Sequence, residues 1–77
     1  MDQREIEMVR AICHEVDILV SLDPGASNLE VLEKARIKMN DYLYKKKYRE
    51  AETVAYAILA MHAGGDAGRY LKDEIGD

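Results

Sequence analysis

The residues of this 77-residue chain best equipped for chemistry are one cysteine and two histidines. Cys13 and His14 stand side by side, and Glu15 and Asp17 follow closely. On a helix His14 and Asp17 share a face, with Arg10 one turn before His14. A His-x-x-Asp pair supplies two metal ligands, whereas a site needs three or four. The plainer reading is a solvated face of charged neighbours. Cys13 sits at the edge of an apolar row, where a lone thiol is a small core residue. As a nucleophile it would need His62, from a distant segment, and a third group to orient that imidazole. The sequence offers no such third group. His62 falls just before Gly64-Gly65, in the last turn of a helix, where a cationic imidazole suits the helix dipole. These residues predict no catalytic set, no metal and no cofactor, so the chain is not expected to be an enzyme.

Two further segments invite a ligand. Lys45, Lys46, Lys47 and Arg49 flank Tyr48, with Lys34, Arg36 and Lys38 close by in sequence. Basic residues with an interleaved tyrosine suit phosphates and bases. Acidic residues surround them, however: Glu30, Glu33, Asp41, Glu50 and Glu52. A solvated turn between helices is the competing reading. Gly64-Gly65-Asp66-Ala67-Gly68 is glycine-rich but follows a helix rather than a strand. It also lacks the lysine that a phosphate loop requires. It reads as a helix stop and a turn.

The elements that position these residues are helices. Asp2-Gln3-Arg4-Glu5 fits a capping box. Ile6, Val9, Ile12, Cys13, Val16, Leu19 and Val20 then recur at helical spacing. Glu7, Arg10, His14, Asp17 and Ser21 fill the opposite arc. The pattern predicts a helix over about 2–22, most buried along Val16 to Leu22. Asp23-Pro24-Gly25-Ala26 is a turn. Ser27-Asn28-Leu29-Glu30 is a second capping box and opens a helix over about 28–45. Its core face is Leu29, Leu32, Ala35, Met39, Tyr42 and Leu43, with Val31 at the edge. Ile37 and Tyr44 lie on the other side.

The stretch 45–49 has no glycine, proline or good cap, so one helix over 28–63 is an alternative. The apolar face beyond it, Ala51, Val54, Ala55, Ile58 and Met61, is rotated by roughly a third of a turn from the face before it. A tight turn near 45–48 restores one core, and a hairpin is expected. The helix over about 49–63 carries no charge after Glu52 and is apolar nearly all round. Such a helix is buried on all sides. Either three other helices cover it, or its second face, Tyr56, Leu59, Ala60 and Ala63, meets a partner chain. Gly64-Gly65 ends it, and Asp66 caps a short last helix over about 67–75.

Around the hairpin, Tyr42, Tyr48, Glu50 and Ala51 resemble the middle of a tetratricopeptide-type helical hairpin. In that family an aromatic of the first helix precedes a short turn, and the second helix opens on Tyr-x-Glu-Ala. The resemblance covers residues 35–63. Met39 and Ile58 stand where the family has small residues, and the closing proline is absent. There is one unit where a solenoid needs about three. The resemblance implies the hairpin geometry alone.

Composition sets the outer limits. Apolar residues make up 48% of the chain, too many for a disordered tail. A single cysteine excludes an intramolecular disulfide. The longest uncharged run, Thr53 to Gly65, is too short to span a bilayer. The charged start, Asp2-Gln3-Arg4-Glu5, does not read as a signal peptide. A cytoplasmic location is expected. With no Phe or Trp the core must be built from Ile, Leu, Val, Ala and Met. Chains of this size bury only about 60% of their unfolded surface, and self-association is a common remedy.

The whole reads as an all-α protein, a small bundle of three to four helices forming a single domain over 1–77. Its expected role is protein–protein interaction, as an adaptor, regulator or inhibitor of a larger protein, with self-association as a homodimer. Ile37, Tyr44, Tyr56, Leu59 and Ala63 are the candidate partner or dimer contacts. The alternative is a nucleic-acid-binding accessory protein using Lys45, Lys46, Lys47 and Arg49. No membrane partner is expected.

Overall fold

In the computed structural model of the chain, which describes residues 1–23, 25 and 28–76, the protein is all-helical. Four helices follow one another: α1 (Gln3–Ser21), α2 (Leu29–Tyr44), α3 (Tyr48–His62) and α4 (Gly68–Ile75). Every boundary falls within one residue of the sequence expectation. The hairpin is present, and the single helix over 28–63 is not: α2 ends at Tyr44 and α3 begins at Tyr48.

The turn between α2 and α3 is closed by backbone bonds. Lys47 N–H donates to the Tyr42 carbonyl at 2.8 Å and Lys46 N–H to the Leu43 carbonyl at 3.1 Å. This is a Schellman ending. Its left-handed residue is Lys46, at φ 62°. A glycine would hold that conformation without crowding its own Cβ, which is why the lysine run hid the turn.

Helix starts are less uniform. Asp2 caps α1, its Oδ1 accepting from the Glu5 amide at 2.9 Å. Asn28 stands at the N-cap of α2 without a side-chain cap bond. Ser27, with Pro24 and Ala26, lies outside the described residues. Asp66 does not cap α4 as expected. Ala67 holds that position, and no side chain caps the helix. An eight-residue helix is therefore held by packing.

The core is the predicted one. Val9, Cys13, Val16 and Val20 of α1 meet Leu32, Ala35 and Met39 of α2. Ala51, Val54, Ala55 and Ile58 of α3 and Leu71 of α4 complete it. Three fully buried alanines, Ala35, Ala51 and Ala55, let α2 and α3 approach closely. The α2–α3 hairpin is the spine. α1 packs on one flank of it and α4 on the other, and α1 and α4 do not touch.

One burial expectation holds and one is corrected. Val16 to Leu22 is the more buried part of α1, with Val16 and Val20 in the core, although Ile18 is exposed and Leu22 is 74% exposed. α3 is not wrapped on every side. Tyr56, Ala60 and Ala63 stay exposed, while Leu59 is half-buried against the core. Three neighbours cover only the part of α3 facing them.

Candidate interaction surfaces

The chemistry first sought around Cys13 is closed off by the fold. Cys13 is buried in the core. Burial, then the charges of Asp17 and Glu52, pushes its thiol up to about 11. A thiol held protonated at neutral pH is a poor nucleophile. His62 faces elsewhere, its Nε2 lying 3.3 Å from Asp23 Oδ2. The pair joins the end of α3 to the segment after α1, so His62 does more than close its own helix.

Asp17 does not join His14 in an intrahelical pair. Its Oδ1 accepts from Asn40 Nδ2 at 3.0 Å and lies 3.6 Å from Arg36 Nη1. Arg10 also leaves its helix. It donates to the Tyr48 hydroxyl at 3.4 Å, its guanidinium 5.9 Å from that ring's centroid. Both contacts fasten α1 to the hairpin. Among the described residues no group of three His, Cys, Asp or Glu side chains could hold a metal ion.

The sequence-predicted contacts fall on two separate surfaces. Ile37, 62% exposed, and Tyr44, 87% exposed, project from the side of α2 opposite its buried row. Beside Ile37 a shallow groove of about 340 Å³ runs between α2 and the end of α4, lined by Lys34, Lys38, Asp41 and Ile75 as well. It has an apolar floor and charged rims. Tyr56 on α3 and Ala63, which caps its end, are exposed, with Leu59 half-buried between them. Ile37 and Tyr44 are thus brought together, and so are the three α3 residues, but the two sets lie on different helices.

The basic turn makes a third surface. Lys46, Lys47, Tyr48 and Arg49 line a pocket of about 430 Å³ with Met1, Ile6 and Glu50. Lys45 turns away and pairs with Asp41 at 3.0 Å. Arg10 already covers one face of Tyr48, so that ring is poorly placed to stack a base.

Two features were not foreseen. The first is a row of exposed apolar residues on α1: Met8, Ala11, Ile18 and Leu22. Their spacing of three, seven and four residues is visible in the sequence. It was masked by the stronger row running from Val9 to Val20. The second is a link across α2 and α4, where the Tyr42 hydroxyl hydrogen-bonds Glu74 Oε1. That bond pushes the Tyr42 phenol up to about 12, with smaller contributions from burial and from the charge of Glu74. The same corner holds Tyr70, Arg49, Glu50 and Thr53. Tyr70 is raised as well, by burial first and then by Glu74. No local motif could have paired residues so far apart in sequence.

No helix among the described residues is long and apolar enough to cross a membrane. No protein-family profile matches the chain, no curated protein matches its sequence, and no solved structure matches its fold.

Proposed function

We propose that this chain is a small helical protein-interaction module, a self-associating adaptor, regulator or inhibitor that binds another protein through the outer face of α2. One observation carries the reading. Ile37 and Tyr44 stand exposed outside a helix whose core row, Leu32, Ala35 and Met39, is already fully buried. They do nothing for the core, and an exposed Ile–Tyr pair above a charged-rimmed groove suits a protein partner. It acts by binding rather than catalysis, in keeping with a buried, protonated Cys13. Its single free thiol suits a reducing compartment such as the cytoplasm.

The test is affinity capture from the source cells with the wild-type chain and with Ile37→Glu and Tyr44→Glu. Both positions are exposed, so both variants should melt like the wild type. A protein captured by the wild type and lost with both variants supports the reading. Identical capture by all three overturns it.

A second reading is favoured by the basic pocket. Lys46, Lys47 and Arg49 converge there, and such a cluster would serve phosphate contacts rather than base stacking. A gel shift with RNA and DNA at low salt decides it. The absence of a shift at micromolar protein ends the idea.

A further inference from the structure

The exposed row on α1 is more regular than its apolar members alone. Arg4, Met8, Ala11, Glu15, Ile18 and Leu22 follow one another at steps of four, three, four, three and four residues. That is the spacing of a coiled-coil seam. All six are exposed. The row lies roughly 150° round the helix from the buried Val9–Val20 row, taking 100° per residue. α1 therefore carries two apolar seams. One is spent on the hairpin, and the other has no cover among the described residues.

The charges say what could cover it. Only Arg4 and Glu15 interrupt the row, and they have opposite sign. Neither has an ion-pair or hydrogen-bond partner among the described residues. Arg4 and Glu15 share a midpoint along the helix with Met8 and Ala11, at the level of Val9 and Arg10. Consider a two-fold axis crossing the seam at that level. It lays a second α1 antiparallel on the first. Arg4 then faces Glu15 of the second copy, and Glu15 faces Arg4 of the second copy. Met8 packs on Ala11 of the second copy, a large residue against a small one, and the reverse pair repeats it. Sliding the register by one heptad sets Arg4 against Leu22 instead and leaves both charges unpaired in the seam. From Arg4 to Glu15 the row is thus self-complementary in charge and in size in one antiparallel register, the condition an isologous interface must meet, while Ile18 and Leu22 lie beyond that overlap.

We propose that the exposed seam of α1 is a homodimer interface, closed by an antiparallel second copy with reciprocal Arg4–Glu15 pairs. This rests on the self-association in the preceding reading and moves it from α3 to α1. It leaves Ile37 and Tyr44, on α2, free for a different partner.

Sedimentation equilibrium at low ionic strength, where exposed pairs are least screened, tests it with four samples. Wild type should dimerise. Arg4→Glu and Glu15→Arg should each weaken the dimer about tenfold or more, since each turns two attractions into two repulsions. An equimolar mixture of the two variants should recover the dimer as a heterodimer, because every facing pair is again opposite in sign. Helix content should stay unchanged, as both side chains are exposed, and at concentrations where all samples are monomeric the melting temperatures should match. A wild type that remains monomeric up to about 1 mM, the range of the weakest specific complexes, overturns the interface and the self-association, and leaves partner binding by α2 standing. A wild-type dimer that ignores both substitutions, that the mixture does not rescue, or that Tyr56→Arg disrupts instead, overturns the α1 register alone.

Discussion

Lys46 and Gly64 occupy the same position in two copies of one helix ending. Lys46, at φ 62°, follows α2, and Gly64, at φ 88°, follows α3. In each copy the next amide reaches back to close the turn: Lys47 N–H to the Tyr42 carbonyl at 2.8 Å, and Gly65 N–H to the Ala60 carbonyl at 2.7 Å. Left-handed backbone disfavours a residue with a Cβ by about 1 kcal/mol. Lys46→Gly should therefore raise stability by about 0.5–1 kcal/mol, less whatever extra freedom the glycine gives the unfolded chain. Gly64→Ala should lower it by about 1 kcal/mol. Urea unfolding reads both as midpoint shifts at constant slope. A loss of stability in Lys46→Gly would mean that the lysine side chain contributes more than its backbone strain removes.

Gly65 fails for a different reason, and the two can be separated. A Cβ on Gly64 would meet nothing within 4 Å, so only its backbone angle objects. A Cβ on Gly65 would sit 2.8 Å from the Ala60 carbonyl oxygen. That atom is backbone and cannot swing aside. Gly65→Ala should lower stability by about 1–3 kcal/mol, the range for forced overpacking. Asparagine tolerates the left-handed region. Gly64→Asn should accordingly lose less than Gly64→Ala, whereas Gly65→Asn should lose as much as Gly65→Ala. Equal losses for Asn at both sites would refute the distinction.

The helices and the core were legible because each depends on a local period. Val9, Cys13, Val16 and Val20, or Ala51, Val54, Ala55 and Ile58, name their buried face without reference to the rest of the chain. The turn at 45–47 was legible only indirectly, through the rotation between the faces of α2 and α3, because Lys46 stands where glycine would have marked it. What stayed hidden depends on docking. Met8, Ile18 and Leu22 are apolar residues of an apolar helix, and sequence does not say which of two seams the hairpin takes. The meeting of Tyr42 with Glu74, and of Asp17 with Asn40 and Arg36, needs the angles between helices. Asp66 was expected as a cap, but Ala67 holds that position, and Leu71, three residues into α4, is fully buried.

Cys13 offers a reading of how often the core opens. Its thiol is pushed up from 9.0 to about 11, chiefly by burial and then by Asp17 and Glu52. A raised acid contributes stability that is intact below the unfolded value, and that stability is lost as pH climbs through the folded one. For Cys13 the window runs from pH 9 to about 11. At neutral pH, alkylation of the folded protein should be slow and should follow urea unfolding, since thiolate reactivity needs exposure. Cys13→Ser should lower stability by about 1–3 kcal/mol by burying a hydroxyl with no partner. Cys13→Ala should lose less and should abolish labelling. Fast labelling in the absence of urea would show that the α1 core row opens independently of global unfolding.

Tyr42 and Glu74 decide how firmly α4 is held. α4 has eight residues and no side-chain cap, too short to persist as an isolated helix. Its anchors are Leu71 in the core, Ile75 at the rim and the hydrogen bond from the Tyr42 hydroxyl to Glu74. Tyr42→Phe removes only the bond and should lower stability by about 0.5–1.5 kcal/mol. Hydrogen exchange should quicken in α4 before it changes in α1, which α4 does not touch. The bond also sets a pH dependence. The Tyr42 phenol is raised by its bond to Glu74 from 10.0 to about 12, so the contribution is intact below pH 10 and disappears as pH rises to about 12. Over that window the wild type should lose stability that Tyr42→Phe has already lost, and the two unfolding curves should converge. Curves that stay parallel would show that the phenol carries no such bond and that α4 is held to the hairpin by packing, Leu71 foremost.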